Sequence, residues 1–258
     1  GLPTPALGWL IGATSGLYAG GVVLNDVFDA PLDRVERPER PIPQGHVSRG
    51  EAAALGLLLL AGGTAAAWQV GFASGLTAAG IAVGTILYDG WAKEYDLLGP
   101  IVMGACRGGN LLLGVTLAVG ALGVWWPLAA LPVVYIGAIT SLSRGEVHGG
   151  SRNTAWTVVF LFGLVIGALL VLGALDRYVL WMAVPFVLVF GAQVGPPLLR
   201  AARDPTAARI REAVGKGVLG IVALDATLAA GFGGWVAGIV VLLIAGASWG
   251  LSQLFAVT

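Results

Sequence analysis

Long, uninterrupted apolar runs are the feature that most constrains the fold of this chain. An α-helix needs roughly 17 to 25 apolar residues to cross about 30 Å of hydrocarbon. Runs of this kind lie near 5–26, 49–69, 73–93, 97–121, 124–143, 153–174, 178–199, 215–231 and 234–256. They are longer and more continuous than the alternating segments of about ten residues that form membrane β-strands. The sequence therefore predicts an all-α, polytopic transmembrane helical bundle with about nine spans.

The composition agrees with a protein that is covered by lipid. Hydrophobic residues make up 57% of the chain and charged residues only 11%, so water would meet far too much apolar surface. The 41 glycines suit the close helix–helix packing of membrane proteins. A formal net charge of zero favours no nucleic-acid partner. Because no linker divides the chain, we expect residues 1–258 to form a single domain, and we infer no protein partner.

The basic residues predict the orientation of the helices. With nine crossings, one side of the membrane holds Arg34, Arg37, Arg40, Arg49, Lys93, Arg144, Arg152, Arg200, Arg203, Arg209, Arg211 and Lys216. The opposite side holds Arg177, and Arg107 falls inside the fourth span. Basic loops face the cytoplasm in membrane proteins. We therefore expect a multi-pass protein of a bacterial or archaeal cytoplasmic membrane, with these loops on the cytoplasmic side.

An aspartate-rich motif closes the first apolar run. Asn25, Asp26, Asp29 and Asp33 fall on one helical face if the helix continues this far, because residues three and four apart stack together. Crowded carboxylates repel one another, and a divalent cation neutralises them. Mg²⁺ is usually held by one or two carboxylates, with substrate phosphates and water completing its shell. The motif therefore predicts a Mg²⁺ site.

A basic segment follows the motif, with Arg34, Arg37 and Arg40 close together in the chain. The planar guanidinium group binds phosphate oxygens in pairs, so the segment favours a phosphate ligand. The alternative is a helix end followed by a solvated juxtamembrane loop with internal ion pairs. The same two alternatives apply to Asp89 and Lys93, which are four residues apart. They either pair with each other or meet a phosphate.

Together these residues resemble the UbiA superfamily of intramembrane prenyltransferases. Asn25, Asp26, Asp29 and Asp33 match its first motif, Asn-Asp-x-x-Asp-x-x-x-Asp, and the segment 40–45, Arg-Pro-Ile-Pro-Gln-Gly, is similar to its Arg-Pro-Leu-Pro-Ser-Gly. The segments 88–93 and 106–110 are similar to its tyrosine and lysine segment and to its next cavity-lining stretch. The segment 142–150 is also similar to the EboC-like branch.

The resemblance implies a transferase that moves a prenyl group from a prenyl diphosphate to a lipophilic acceptor at a central cavity open to the cytoplasmic side. Mg²⁺ would be held by Asp26, Asp29 and Asp33 with help from Asn25, and by Glu146 in a second motif. Arg37, Arg40, Tyr88, Asp89 and Lys93 would meet the diphosphate, with Asp26, Asp29, Lys93 and Glu146 as the catalytic residues. Arg107 and Asn110 would line the cavity, and Ser143, Arg144 and His148 would touch phosphate.

Two departures from the family pattern are visible in the sequence. The family has one more helix before the aspartate motif, and we expect that helix to have been trimmed from this sequence or to be missing. The family's second motif is Asp-x-x-x-Asp, whereas this chain offers Glu146 with the apolar Leu142 four residues before it. The altered motif keeps a second function class open, a non-catalytic protein that binds or transports an isoprenoid lipid.

Overall fold

The computed structural model describes residues 4–255, and its regular structure over that range is entirely helical. The α-helices are α1 (Thr4–Glu36), α2 (Arg49–Trp68), α3 (Phe72–Gly90), α4 (Leu98–Val115), α5 (Ala121–Trp125), α6 (Ala130–Ser143), α7 (Arg152–Val171), α8 (Leu180–Arg203), α9 (Ala207–Gly233) and α10 (Trp235–Phe255). Short 3₁₀ turns cover Ala92–Glu94, Trp126–Ala129 and Leu172–Ala174. The predicted all-α class is therefore confirmed.

Eight helical stretches in the described part of the chain are long and apolar enough to cross a membrane. They coincide with the first eight predicted runs, the fifth being Ala121–Ser143, in which Pro127 accompanies a 3₁₀ turn between α5 and α6. The predicted ninth run corresponds to α10. Within the residues whose side chains the structure describes, its apolar part is Trp235–Ser248, which is shorter than the eight stretches above. The chain is an integral, multi-pass membrane protein.

The helices fall into two compact units, residues 1–133 and 134–258. The single domain expected from the sequence stays a prediction. In the first unit, α1 packs on α2 through small residues, and a Cβ on Gly63 would lie 2.8 Å from the Ala13 carbonyl oxygen. Leu10, Leu17 and Leu60 add an apolar core to this contact. The small residues let the two backbones approach, as membrane helices require.

The second unit is built around aromatic rings and glycine contacts. Tyr135, Phe162 and Phe190 stack edge to face or tilted, with ring centroids 5.1 to 6.2 Å apart. The Tyr135 hydroxyl donates to the Gly217 carbonyl oxygen of α9 at 2.6 Å. The second unit thus ties α6, α7, α8 and α9 together through one buried cluster.

Candidate active site

Helix α1 runs well past its apolar stretch and carries the whole aspartate motif. The helix ends at Glu36, so Asn25, Asp26, Asp29 and Asp33 are all helical. At 100° per residue these four positions span one side of the helix. The condition attached to the sequence prediction, that the helix continue through the motif, is met.

Arg40 joins two of the carboxylates. Its Nη1 atom donates to Asp26 Oδ1 at 2.7 Å and to Asp33 Oδ2 at 2.8 Å. Asp33 is only 5% exposed, whereas Asp26 and Arg40 are partly exposed. A buried carboxylate needs a partner of opposite charge, and Arg40 supplies it. The two aspartates, seven residues apart in the chain, therefore share one cation.

The other side of the motif faces the end of α3 and the turn after it. Lys93 Nζ lies 2.5 Å from Asp29 Oδ1, and Asn25 Nδ2 donates to Asp89 Oδ1 at 3.0 Å. Helix α3 ends at Gly90, so Lys93 belongs to the following 3₁₀ turn and reaches back to α1. From the sequence, the expected partners of Lys93 are Asp89 or a phosphate. The structure shows a further partner, Asp29.

A proline explains how the start of α2 is attached to α1. Pro31 lies inside α1 and has no N–H to donate to the carbonyl of Val27, four residues earlier. The Arg49 Nε–H donates to that carbonyl oxygen at 2.9 Å. Arg49 begins α2, so the same bond ties the start of α2 to the motif. This role of Arg49 was not predicted from the sequence, although the proline four residues after Val27 is a signal for it.

The segment between α1 and α2 is folded by its own turns. The amides of Gln44, Gly45 and His46 donate to carbonyls of the same segment, and Gly45 has a φ of +76° that favours glycine. Ser48 and Glu51 form a capping box at the start of α2. Arg37 is exposed, with no ion pair among the described residues. Of the two arginines of this segment that are predicted to meet the diphosphate, only Arg40 pairs with the motif.

A pocket of about 270 Å³ separates this segment from the helices beneath it. Its polar end is formed by Asp26, Asp33 and Arg40. Its remaining wall is mainly apolar and is contributed by Val23, Pro41, Ile42, Pro43, Val47, Ala52 and Leu55, together with Glu51. The ion-paired carboxylates are thus open to a partly apolar space on the α2 side.

The predicted cavity-lining residues, Arg107 and Asn110, lie on α4, and Tyr88, predicted to meet the diphosphate, lies on α3. Tyr88 is half-buried near the end of α3, and Arg107 is half-buried in α4. Asn110 lies one turn after Arg107, and its Oδ1 accepts a hydrogen bond from the Thr14 hydroxyl at 3.1 Å. This bond links α4 to α1, a contact that the sequence did not predict.

The predicted second motif belongs to the second unit. Helix α6 ends at Ser143, and residues 144–148 form turns in which the Glu146 amide donates to the Ser143 carbonyl. The Ser143 hydroxyl donates to the Thr140 carbonyl, while Arg144 and His148 are exposed. Leu142 and Glu146 therefore do not share a helical face. The four-residue spacing of positions 142 and 146 does not place them one helical turn apart, because α6 ends between them.

The donor set of the first motif fits Mg²⁺. Its ligands would be carboxylate oxygens, which Mg²⁺ prefers, and Asp26 and Asp33 already converge on one cationic atom. Within residues 4–255 there is no group of three acidic, histidine or cysteine side chains arranged to hold a metal. Two carboxylates plus substrate phosphate oxygens are the donors that this arrangement offers.

Comparison with known proteins agrees with the motifs. Residues 1–144 match the model of the UbiA prenyltransferase family. Digeranylgeranylglyceryl phosphate synthase of Ignicoccus hospitalis is 35% identical over 138 residues, 53% of this chain and 46% of that protein. The synthase of the same name from Halobacterium salinarum is 30% identical over 183 residues, 66% of this chain and 63% of that protein. The chain spans about half the length of most of the curated relatives it matches.

A solved structure has the same fold. It is described as concerning digeranylgeranylglyceryl phosphate synthase in membranes, and it superposes with a TM-score of 0.67 at 18% identity, over 90% of this chain and 85% of that one. At this identity the likeness establishes the fold alone. The family match covers more than half of the chain and includes the aspartate motif, Arg40 and Lys93. This chain therefore belongs to the UbiA prenyltransferase family.

Proposed function

We propose that this protein is a membrane-embedded prenyltransferase that moves an isoprenoid group from a prenyl diphosphate to a lipophilic acceptor. The observation that carries the proposal is the meeting of three carboxylates and two cationic side chains at one end of α1. A prenyl diphosphate has an apolar chain and a highly charged headgroup. The apolar chain needs apolar helices around it, and the headgroup needs clustered charges. The unit of residues 1–133 has both.

The residues of the first motif would act on the leaving group. Asp26 and Asp33 would hold Mg²⁺, which when bound neutralises charge on the diphosphate, and Asp29 would orient Lys93. Arg40 and Lys93 would donate hydrogen bonds to diphosphate oxygens and stabilise the negative charge that develops as the carbon–oxygen bond breaks. Asn25 positions Asp89 through its 3.0 Å hydrogen bond. The apolar helices would keep water from the allylic cation.

The relatives suggest a class of acceptor to test. They are named as synthases of digeranylgeranylglyceryl phosphate, a name that joins two geranylgeranyl groups to glyceryl phosphate. We propose that a glyceryl phosphate already bearing one isoprenoid chain belongs in the acceptor panel, beside other lipophilic acceptors. We further propose that the reaction takes place at the cytoplasmic face, where the basic segments are expected to lie.

The test is turnover by the purified protein in lipid. Labelled prenyl diphosphates, Mg²⁺ and the acceptor panel should yield diphosphate and a new lipid product. Asp29→Asn keeps the shape of the side chain but removes the carboxylate charge that pairs with Lys93, so we expect turnover to fall by about a hundredfold or more. Asp204→Asn, which removes an exposed ion pair with Arg209, is the matched control and should keep wild-type turnover.

The second function class, binding or transport of an isoprenoid lipid, is favoured by the lone carboxylate of the second motif. Glu146 lies in a turn, and Leu142 is buried at 3% exposure. Glu146→Gln separates the two classes, since it removes charge and keeps shape. A transferase that uses Glu146 should lose turnover in this variant. Wild-type protein that binds prenyl diphosphate but releases no diphosphate with any acceptor would instead support the binding function.

A further inference from the structure

Each carboxylate of the aspartate motif is engaged by a cationic side chain of the chain itself. Arg40 Nη1 lies between Asp26 and Asp33, at 2.7 and 2.8 Å, and Lys93 Nζ lies beside Asp29. A divalent cation needs the same carboxylate oxygens. Arg40 and a metal ion therefore compete for Asp26 and Asp33, since both cannot occupy the space between these oxygens.

The segment that carries Arg40 is built to move as one piece. The amides of Gln44, Gly45 and His46 hydrogen-bond to the carbonyls of Arg40, Ile42 and Pro41, so the turns of the segment are held from within. Its ends are fixed by the Arg37 amide, which donates to the Asp33 carbonyl, and by the capping box at Ser48. Movement would therefore be concentrated at these two ends.

Packing holds this segment only weakly. Most residues of 37–48 are exposed, and the pocket of about 270 Å³ lies between Ile42 and Val47 on one side and Val23 and Leu55 on the other. A segment above such a space gains little from buried apolar contacts. The Arg40 ion pairs are therefore its main attachment to α1 away from its two ends.

We propose that Arg40 is a built-in counter-ion of the aspartate motif and holds the segment 37–48 closed over α1 until a divalent cation binds. Arg40 then leaves Asp26 and Asp33, the segment opens, and the guanidinium group becomes available to the diphosphate. The inference rests on the proposed function for the identity of the substrate. The Arg40–Asp26 pair is partly exposed and therefore weak. Asp33 is buried and needs a positive charge beside it, which a bound metal ion supplies in place of Arg40.

The test measures metal affinity and segment motion without substrate. Mn²⁺ alone is titrated into the full-length protein in nanodiscs and followed by electron paramagnetic resonance, with Mg²⁺ as competitor. Arg40→Gln should bind Mn²⁺ at least about threefold more tightly than wild type, because the competing cation is gone. Arg40→Lys keeps the charge without the planar fork and should fall between the two.

Arg37→Gln is the matched control. It removes the same charge from the same segment, and Arg37 makes no ion pair within the described residues. Its Mn²⁺ affinity should stay within about twofold of wild type, a change that exposed, solvent-screened charges produce. Equal tightening in both variants would attribute the effect to net charge and overturn the proposal.

Hydrogen–deuterium exchange measures the opening of the segment 37–48. The Gln44, Gly45 and His46 amides are hydrogen-bonded within the segment and should keep their exchange rates. The Arg37 and Ser48 amides hold its two ends through bonds to the Asp33 carbonyl and the Glu51 carboxylate. In wild type, Mn²⁺ should speed exchange of the Arg37 and Ser48 amides, whereas in Arg40→Gln their exchange should be fast with or without Mn²⁺. Mn²⁺ that slows these amides in wild type, or fails to bind both wild type and Arg40→Gln, would overturn the inference. Tight, Arg40-limited metal binding without diphosphate release would support the inference and contradict the proposed transferase.

Discussion

A single proline shapes the connection between the motif and the next helix. Pro31 leaves the Val27 carbonyl without its usual helical donor, and in a membrane protein an unpaired carbonyl is costly. Arg49 fills that role with a charged donor at 2.9 Å. Arg49 is therefore a structural residue at the motif, although the sequence marks it only as one of the basic residues that flank the membrane spans.

This assignment predicts a dependence between two substitutions. Arg49→Gln should lower the free energy of unfolding by about 1.5 to 3 kcal/mol, the usual effect of losing a hydrogen bond from a charged donor. In a Pro31→Ala background an alanine N–H can satisfy Val27, so the same change should cost clearly less. Reversible unfolding of the four proteins in detergent gives the coupling. Equal losses in both backgrounds would contradict the role assigned to Arg49.

Two buried tyrosines differ in what their hydroxyl groups contact. Tyr135, 1% exposed, donates to the Gly217 carbonyl at 2.6 Å. Tyr178, 3% exposed, packs its ring on Gly231 and Phe232, and its hydroxyl finds no partner among the described residues. A buried polar group stabilises a fold only where it is hydrogen-bonded. The two positions therefore form a natural matched pair.

We predict opposite effects for the same change at these positions. Tyr135→Phe should lower the free energy of unfolding by about 1 to 2 kcal/mol, because the Gly217 carbonyl loses its side-chain donor. Tyr178→Phe should leave stability unchanged or raise it by up to about 1 kcal/mol, because a buried hydroxyl without a partner is removed. Thermal unfolding of both variants in one detergent measures the difference. A large loss at Tyr178 would mean that its hydroxyl is hydrogen-bonded.

Tyr178 also predicts that the stability of the protein depends on pH in the alkaline range. Burial raises the pKa of Tyr178 from 10.0 to about 12, since the folded state favours the neutral phenol. The unfolded chain ionises near pH 10 and the folded protein near pH 12, so this ionisation does not affect stability below pH 10 and lowers it as the pH rises from about 10 to about 12. Wild type should therefore lose stability faster than Tyr178→Phe between these values, as unfolding midpoints across that range would reveal. Parallel losses would contradict the raised pKa.

At the scale of helices, glycines set how closely α1 approaches α2. A Cβ at Gly63 would lie 2.8 Å from the Ala13 carbonyl oxygen and 3.0 Å from the Leu17 amide nitrogen. The neighbouring Gly62 has nothing within 4 Å of the same atom. The contact matters for the site because α1 carries the aspartate motif and α2 carries Arg49.

Replacing Gly63 and Gly62 by alanine should therefore change the free energy of unfolding by different amounts. Gly63→Ala should lower the free energy of unfolding by roughly 1 to 3 kcal/mol, because the backbones must separate to admit a methyl group. Gly62→Ala should be neutral or stabilising by up to about 1 kcal/mol through helix propensity. Unfolding in detergent measures the stability of both variants. Prenyl diphosphate binding measures whether the separation of α1 from α2 also disturbs the aspartate motif. Equal stability of the two variants would contradict the close contact.

The elements were more predictable than the contacts of the site. Apolar runs located the spans, but hydropathy ended the first run at residue 26, whereas α1 continues to Glu36 because the motif pairs its carboxylates with cations. Spacing within α1 put Asp29 and Asp33 on one side of the helix. The partners Lys93 and Asp89 lie 64 residues away in sequence from Asp29 and Asn25, and no local pattern encodes that pairing.

At the scale of the whole molecule, the helices predict which loops share a side of the membrane. The loops after α1, α3, α6 and α8 fall on one side if each of the eight apolar stretches crosses once. These loops and the adjoining helix ends hold most of the basic residues, which favours the cytoplasmic side. The loop after α7, with Arg177, falls on the opposite side. Such alternation gives a direct experimental test of the topology.

We predict that His46 and His148 are reached from one side of the membrane and Arg177 from the other. Cys106 is the one cysteine of the chain, so a Cys106→Ser background gives a clean host for single cysteines. His46→Cys and His148→Cys are exposed positions that an impermeant thiol reagent should label in inside-out vesicles, and Arg177→Cys should be labelled in right-side-out vesicles. Labelling of residues 46 and 148 from opposite sides would require a different number of crossings between them. It would also separate Glu146 from the aspartate motif across the bilayer, and the two motifs could not then serve one diphosphate.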